Sequence, residues 1–284
     1  MRTDAANLRS RARSRSQIPP RYGCYSRRDL FLSLVAWLLG DLGRAREFIN
    51  EAGARAVESA HAPTLVNAHY VTAVLEILRD DADAARRAAE ANVALSREHG
   101  LALFLALGTL TSAWAHAKLG DRDSGSAELR QALAEYASPG NKLTLPFYRG
   151  LLAEIDSEGE DAEAALAEID EALALAGETG EHWFDAALHR IRGEILLKQN
   201  PADPAPAEAA FLAAIAVAQQ QKARSFELRA ALSLAKLYQS TGRPIDANEA
   251  LGPALEGFSP TPEFPQIAEA MRLVAANTAA GEQS

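Results

Sequence analysis

The sequence predicts an all-α protein: a right-handed superhelical solenoid of about six antiparallel helix hairpins, finished by a C-terminal capping helix. Three observations lead there. Hydrophobic residues make up 48% of the 284 residues but aromatics only 6%. Ala and Leu dominate, and with Glu, Arg and Gln they form helices readily because they lose little rotamer freedom. Second, no run of alternating Val, Ile, Thr or Tyr proposes a sheet. Third, small residues return at a fixed period. Ser33, Ala73, Ala113, Ala153 and Gly193 are spaced by 40, and Ala235 follows after 42. A companion set, Ala45, Ala85, Gly125, Ala165, Ala207 and Ala247, trails the first by 12 residues, or by 14 in the fifth unit. A period of this length is the mark of a repeat array.

Each unit reads as helix A, a tight turn, helix B and a linker. The turns are Gly40-Asp41, Asp80-Asp81, Gly120-Asp121, Gly159-Glu160, Asn200-Pro201 and Gly242-Arg243-Pro244. Gly and Asn suit a left-handed helix end, and Pro suits the start of the next helix. Linkers fall at Ser59 to Pro63, His99-Gly100, Ser138 to Gly140 and Gly177 to Gly180. Small side chains are needed where two helices cross at about 8–10 Å. Within helix B, the positions four after the second small set are Ile49, Ala89, Leu129, Ile169, Phe211 and Leu251. They fill the adjacent groove. Three further on, every residue is Ala except Asn92. A lone hairpin cannot bury both faces, so units stack on one core. Six hairpins cover 27–257, and a seventh helix over 263–277 caps the end. In domain terms this gives a basic leader over 1–25, the repeat domain over 26–278 and a frayed tail over 279–284.

Charge is unevenly placed. Residues 1–28 carry eight Arg against Asp4, a charge of +7, which leaves −16 for the rest of a chain totalling −9. The acidic body argues against nucleic-acid binding by the folded part. The basic stretch 1–28 is where weak, sequence-blind phosphate contact would occur. The single Cys24 excludes an intramolecular disulfide and a cysteine-based zinc site, and it fits a reducing cytoplasm. The most apolar stretch, around residues 31–40, is about half the length that a membrane-spanning helix needs.

The last unit carries a family resemblance. Leu234, Ala235, Tyr238, Gly242, Ala247, Leu251 and Ala254 follow the tetratricopeptide pattern of Leu, small, Tyr, Gly, Ala, bulky, Ala. The 40-residue period, longer than that family's usual unit, resembles the C-terminal arrays of bacterial signal-transduction (STAND-type) ATPases. These include the maltose-regulon activator type and ATPases fused to class III adenylate or guanylate cyclase domains. Three stretches resemble the cyclase-fusion group: A-W-L-L-G (36–40), G-E-H-W-F-D-A-A-L-H-R-I-R-G-E-I-L-L (180–197) and A-R-S-F-E-L-R-A-A-L-S-L-A-K-L (223–237). The resemblance covers about 21–275. It implies a sensory or scaffolding role without enzymatic activity. A phosphate loop needs Gly-Lys-Ser/Thr after a strand, and S-P-G-N-K-L-T (138–144) lacks the adjacent Gly-Lys. No cofactor is implied. The expected partner is a protein or peptide, such as a signalling ATPase or cyclase, or else a small effector. A detached fragment without function is a further alternative.

Tetratricopeptide arrays bind on the concave face of the A helices. Carried over position by position, that resemblance selects Asn67, Tyr70, Trp114, Lys118, Phe147, Glu154, Arg190, Glu194, Lys198, Arg229 and Lys236. The trend is aromatic early and cationic late, suited to a peptide with an apolar segment and an acidic end. The plain alternative is solvated helix faces with some packing between units. A competing functional reading is a metal-dependent enzyme. His182, Asp185 and His189 would share one face if a single helix carried them. Against it, zinc requires a fourth group and ordered supporting partners. The repeat frame instead makes His189 a packing residue between helices A and B, with Trp183 and Phe184 starting the helix against the preceding unit.

Overall fold

A computed structural model describes residues 22–159 and 162–281. Among the described residues, thirteen α-helices make six consecutive hairpins and a final cap. The hairpins are α1 (Tyr22–Leu38) with α2 (Leu42–Ser59), α3 (Ala62–Arg79) with α4 (Ala82–Glu98), and α5 (Ala102–Lys118) with α6 (Arg122–Ala137). They continue as α7 (Leu145–Asp156) with α8 (Ala162–Thr179), α9 (Asp185–Gln199) with α10 (Ala205–Gln221), and α11 (Arg224–Ser240) with α12 (Pro244–Leu255). The cap is α13 (Gln266–Gly281), and among the described residues there is no strand. The helical region extends slightly beyond 26–278. α1 begins at Tyr22, and α13 runs to Gly281. The leader's residues 1–21 lie outside the described residues, as does the end of the tail, 282–284.

All twelve small repeat positions are buried. Two show directly why size matters there. A β-carbon added to Gly125 of α6 would lie 2.4 Å from the Ala117 backbone nitrogen of α5. One added to Gly193 of α9 would lie 2.5 Å from the Phe211 ring of α10. Asn92, the exception in its series, is fully buried; its amide donates to the Val66 carbonyl at 3.0 Å. Gly108 makes the room, since a β-carbon there would stand 2.2 Å from Asn92 Oδ1.

The turns work by backbone handedness and capping together. Gly40, Gly120 and Gly242 adopt positive φ, and Asp80 adopts φ 63° without glycine's freedom. The next residue is Asp41, Asp81 or Asp121 in the first three hairpins. Its carboxylate accepts from the backbone N–H of Arg44, Ala84 or Ser124 and so caps the B helix.

The array turns far enough for its ends to meet. Trp37 of α1 packs edge-on against Phe226 of α11, with ring centroids 5.7 Å apart, and against Phe264 at 5.6 Å. The Ser225 hydroxyl donates to the Trp37 carbonyl. Arg46 of α2 pairs with Glu76 of α3 at 2.8 Å and with Glu263, ahead of α13, at 2.9 Å. Arg79 also reaches Glu263, at 3.1 Å. The first two hairpins thus close against the last hairpin and the segment ahead of the cap, which narrows the concave face.

Candidate functional site: the interior cavity

Five A helices supply wall residues to one cavity of about 180 Å³; α3 gives Ile77 and Leu78, and the other four are consecutive to it. From α5 come Trp114 and Lys118, from α7 Phe147 and Glu154, from α9 Arg190 and Glu194, and from α11 Arg229 and Lys236. These are eight of the eleven positions selected by the repeat frame. They share the wall because residues one helical turn apart project from the same face of each helix, and successive helices repeat that placement. Asp80, Phe184, Phe226, Ser233, Gln266 and Glu269 are wall residues that the repeat frame did not select. Asp80 and Glu269 stand on a turn and on the cap, outside any A-helix position; Phe184 lies in a 3₁₀ turn. Their sequence signal is weak because none occupies a groove position of the repeat pattern.

The other three positions lie elsewhere. Asn67 is half-buried on α3 and outside the cavity wall. Tyr70 sits with Tyr136 and Tyr148 near the start of α7, where burial pushes its hydroxyl up to about 12. The Lys198 ammonium donates to the Ser157 carbonyl at 3.4 Å, at the end of α7.

The aromatic-to-cationic gradient is not what the cavity presents. Trp114 and Phe147 are each 1% exposed and form wall rather than free contact surface. Most cations are already matched. Arg190 pairs with Glu154 and Glu194, both at 2.7 Å. Burial by itself would lower the Arg190 guanidinium, but the two carboxylates outweigh it and hold it above its ordinary range. Burial would likewise raise Glu154, yet the charges of Arg190 and Lys118 keep it below the usual carboxylate value. Lys118 faces Asp80 at 3.5 Å, and Lys236 pairs with Glu269 at 2.7 Å. Ser233 donates to Glu194 at 2.8 Å. The wall carries Lys118, Arg190, Arg229 and Lys236 against Asp80, Glu154, Glu194 and Glu269, so its formal charge is balanced.

Arg229 differs from the rest. Its Nη2 donates to the Leu78 carbonyl at 2.6 Å, and its guanidinium lies 5.2 Å from the ring centres of both Trp37 and Phe264. Among the described residues no carboxylate comes within ion-pair distance of it. Burial first, then the neighbouring Arg190 charge, bring it down to about 10.

The histidine motif breaks before it becomes a site. His182 lies in a 3₁₀ turn, His182–Phe184, and α9 begins at Asp185, so no single helix carries all three residues. His182 Nδ1 and Asp185 Oδ2 are 2.8 Å apart in an exposed pair. His189 is half-buried, and burial lowers it. Among the described residues no group of three or more His, Cys, Asp or Glu could hold a metal ion. Trp183 and Phe184 occupy that turn rather than the helix. They pack on Phe147 of the preceding unit at 5.2 and 4.9 Å. Stretch 138–144 is a pinned linker: Asn141 donates to the Tyr136 carbonyl at 3.1 Å, and the Tyr136 hydroxyl donates to the Leu143 carbonyl at 3.0 Å. Among the described residues, no helix is long and apolar enough to cross a membrane.

No family model matches the chain. An uncharacterized protein of Rhizobium meliloti (strain 1021) is 26% identical over 213 residues, which span 75% of this chain and 20% of that protein. The chain thus spans about a fifth of the length of the curated relative it matches. Among solved structures, the apo form of RapI superposes with a TM-score of 0.60 at 14% identity, covering 95% of this chain and 91% of that one. With its period, its twelve buried small positions and this likeness of fold, the chain is an all-α solenoid of tetratricopeptide-like helix hairpins.

Proposed function

We propose that this chain is a non-enzymatic sensor module: a helical-repeat array that takes a small effector into its interior and relays occupancy to a protein partner. The partner is a bacterial signalling ATPase, an adenylate cyclase or a transcriptional regulator. One observation carries the reading. Eight concave positions from four successive A helices line one cavity, and contacts between the first and last hairpins narrow the concave face around it. An extended peptide needs an open face; a small molecule needs an enclosed pocket with a few directed polar groups. The signalling context rests on the resemblance of residues 36–40, 180–197 and 223–237 to cyclase-fused ATPases. The Rhizobium relative, which carries the matching stretch within a much longer chain, is compatible with it.

Thermal-shift screening of the purified chain against a panel of small metabolites tests the proposal. At least one compound is expected to raise the melting temperature saturably. Ser233→Trp, which fills the cavity from its wall, is expected to abolish the shift while costing about 1–3 kcal/mol of stability. A panel without a stabilising compound sinks the sensor reading, as does a shift that survives the plug.

A further inference from the structure

The cavity combines a half-buried cation lacking a carboxylate, buried polar atoms lacking partners, and an apolar floor. Three wall residues carry such atoms shut off from solvent: Trp114 through its indole N–H, Arg229 through its Nε–H, and Gln266 through its side-chain oxygen. Two of the three are donors. A buried donor left without an acceptor costs about 1–3 kcal/mol, more when charged. Natural interiors rarely tolerate several at one place without a ligand or solvent to receive them. The remaining wall includes Leu78, Leu151, Phe184, Phe226 and Leu232, all buried. The mouth lies where Asp80, Lys236 and Glu269 stand, with side chains about half exposed.

What fits is decided by elimination among ligand charges. A cationic ligand would meet carboxylates already paired with Lys118, Arg190 and Lys236, and would have to break an ion pair. A neutral ligand would leave Arg229 uncompensated. An anion has acceptors only, matching two orphan donors, and it places beside Arg229 the carboxylate-type partner that Glu154 and Glu194, both held by Arg190, do not give it. Size follows from volume. At about 30 Å³ for each water-sized group in a condensed phase, 180 Å³ encloses about six such groups, and a longer molecule keeps the rest of its body at the mouth.

Resting on the sensor reading, we propose that the cavity binds a small organic acid. Its anionic head, carboxylate or phosphate-type, meets Arg229 with the Trp114 indole N–H as a second donor, and its apolar body lies against Leu151, Phe226 and Leu232. Arg229 also holds the Leu78 carbonyl at the end of α3, so the head group binds where the last hairpin grips the second. Occupancy therefore strengthens ring closure, which gives the module a state to report.

The test uses 3-phenylpropionate, phenylphosphonate and the neutral 3-phenylpropanamide as probes on the full chain. Titration is followed by calorimetry and by tryptophan fluorescence. One or both acids are expected to bind saturably, at least about tenfold tighter than the amide, the effect of one charge-assisted hydrogen bond. Whichever acid binds tighter identifies the head group. Arg229→Gln is expected to remove that preference. Trp114→Phe, which keeps the ring but loses the donor, is expected to weaken the acid severalfold and leave the amide unchanged, so the result stands even if Arg229→Gln does not fold. If the amide binds as tightly as the acids and Ser233→Trp blocks all three, the interior sensor survives and the acid assignment is overturned. If no probe binds, the acid assignment is overturned. The sensor reading then falls only if the metabolite panel is empty too.

Discussion

Glu154 sits between Arg190 and Lys118, at the point where the interior is most strongly charged. Its oxygen accepts from Arg190 Nη2 at 2.7 Å, and its side chain is about a quarter exposed. Its pKa in the folded chain lies below the ordinary value of 4.5; the charge and hydrogen bonding of the neighbouring cations outweigh the effect of burial. A carboxylate lowered on folding contributes stability that is fully present above its unfolded value, and that stability is lost as pH falls through the folded one. Glu154→Gln should therefore destabilise the chain by about 2 kcal/mol at neutral pH. The loss is moderate because Arg190 keeps Glu194. The difference from wild type should hold down to about pH 5 and shrink below pH 4 as the native carboxylate takes up its proton. Urea unfolding at a series of pH values checks this. A difference that is constant from pH 7 to pH 3 would show that the pair contributes nothing electrostatic.

At the scale of the helix, the first three hairpins repeat one local device, an Asp cap. Asp41, Asp81 and Asp121 each follow a residue with positive φ, and each accepts from the backbone N–H three residues on. Replacing any one by Ala should cost about 1 kcal/mol. The three caps belong to separate hairpins, so the triple substitution should cost close to the sum, about 3 kcal/mol. Chemical denaturation of the singles and the triple measures it, and a triple no worse than a single would mean the caps are redundant. These turns were legible in the sequence as Gly-Asp and Asp-Asp pairs because turn chemistry is local. The crossings were legible for a similar reason: a residue that must be small at each crossing leaves a periodic trace. Asn92 shows where local reasoning stops. It breaks the series of alanines, and its explanation, Gly108, lies in the next hairpin and follows no repeat position. His182 shows the opposite failure. Spacing proposed one helix face, but the chain forms a 3₁₀ turn there, with Phe184 buried and Trp183 partly so against Phe147.

For the whole molecule, what the sequence withheld is the meeting of its ends. Repeat periodicity specifies the step between neighbours and says nothing about where the sixth unit lies relative to the first. Closure depends on singular residues: the Trp37, Phe226 and Phe264 rings, and the Arg46, Glu76, Arg79 and Glu263 cluster. Glu76 is almost fully buried within it, and Arg79 is 11% exposed. Glu263 is the element contributed from the far end, so its charge is what the seam loses if the ring parts. Glu263→Lys places a third cation beside Arg46 and Arg79. It should loosen the seam without touching any hairpin's own crossing. We expect a larger radius of gyration by small-angle scattering, unchanged helical content by circular dichroism, and a stability loss of about 1–3 kcal/mol. Arg86→Ala, which removes an exposed pair with Glu90 far from the seam, should change scattering not at all and stability by less than about 0.5 kcal/mol. High salt separates the contributions. Raising ionic strength from about 0.1 to 1 M shortens the screening length from about 10 to 3 Å. Because the native quartet is partly buried, it should resist that change, whereas the variant's repulsion at its exposed edge should be relieved and its scattering move back toward wild type. Identical profiles for wild type and Glu263→Lys at low salt would mean the aromatic contacts hold the ring by themselves.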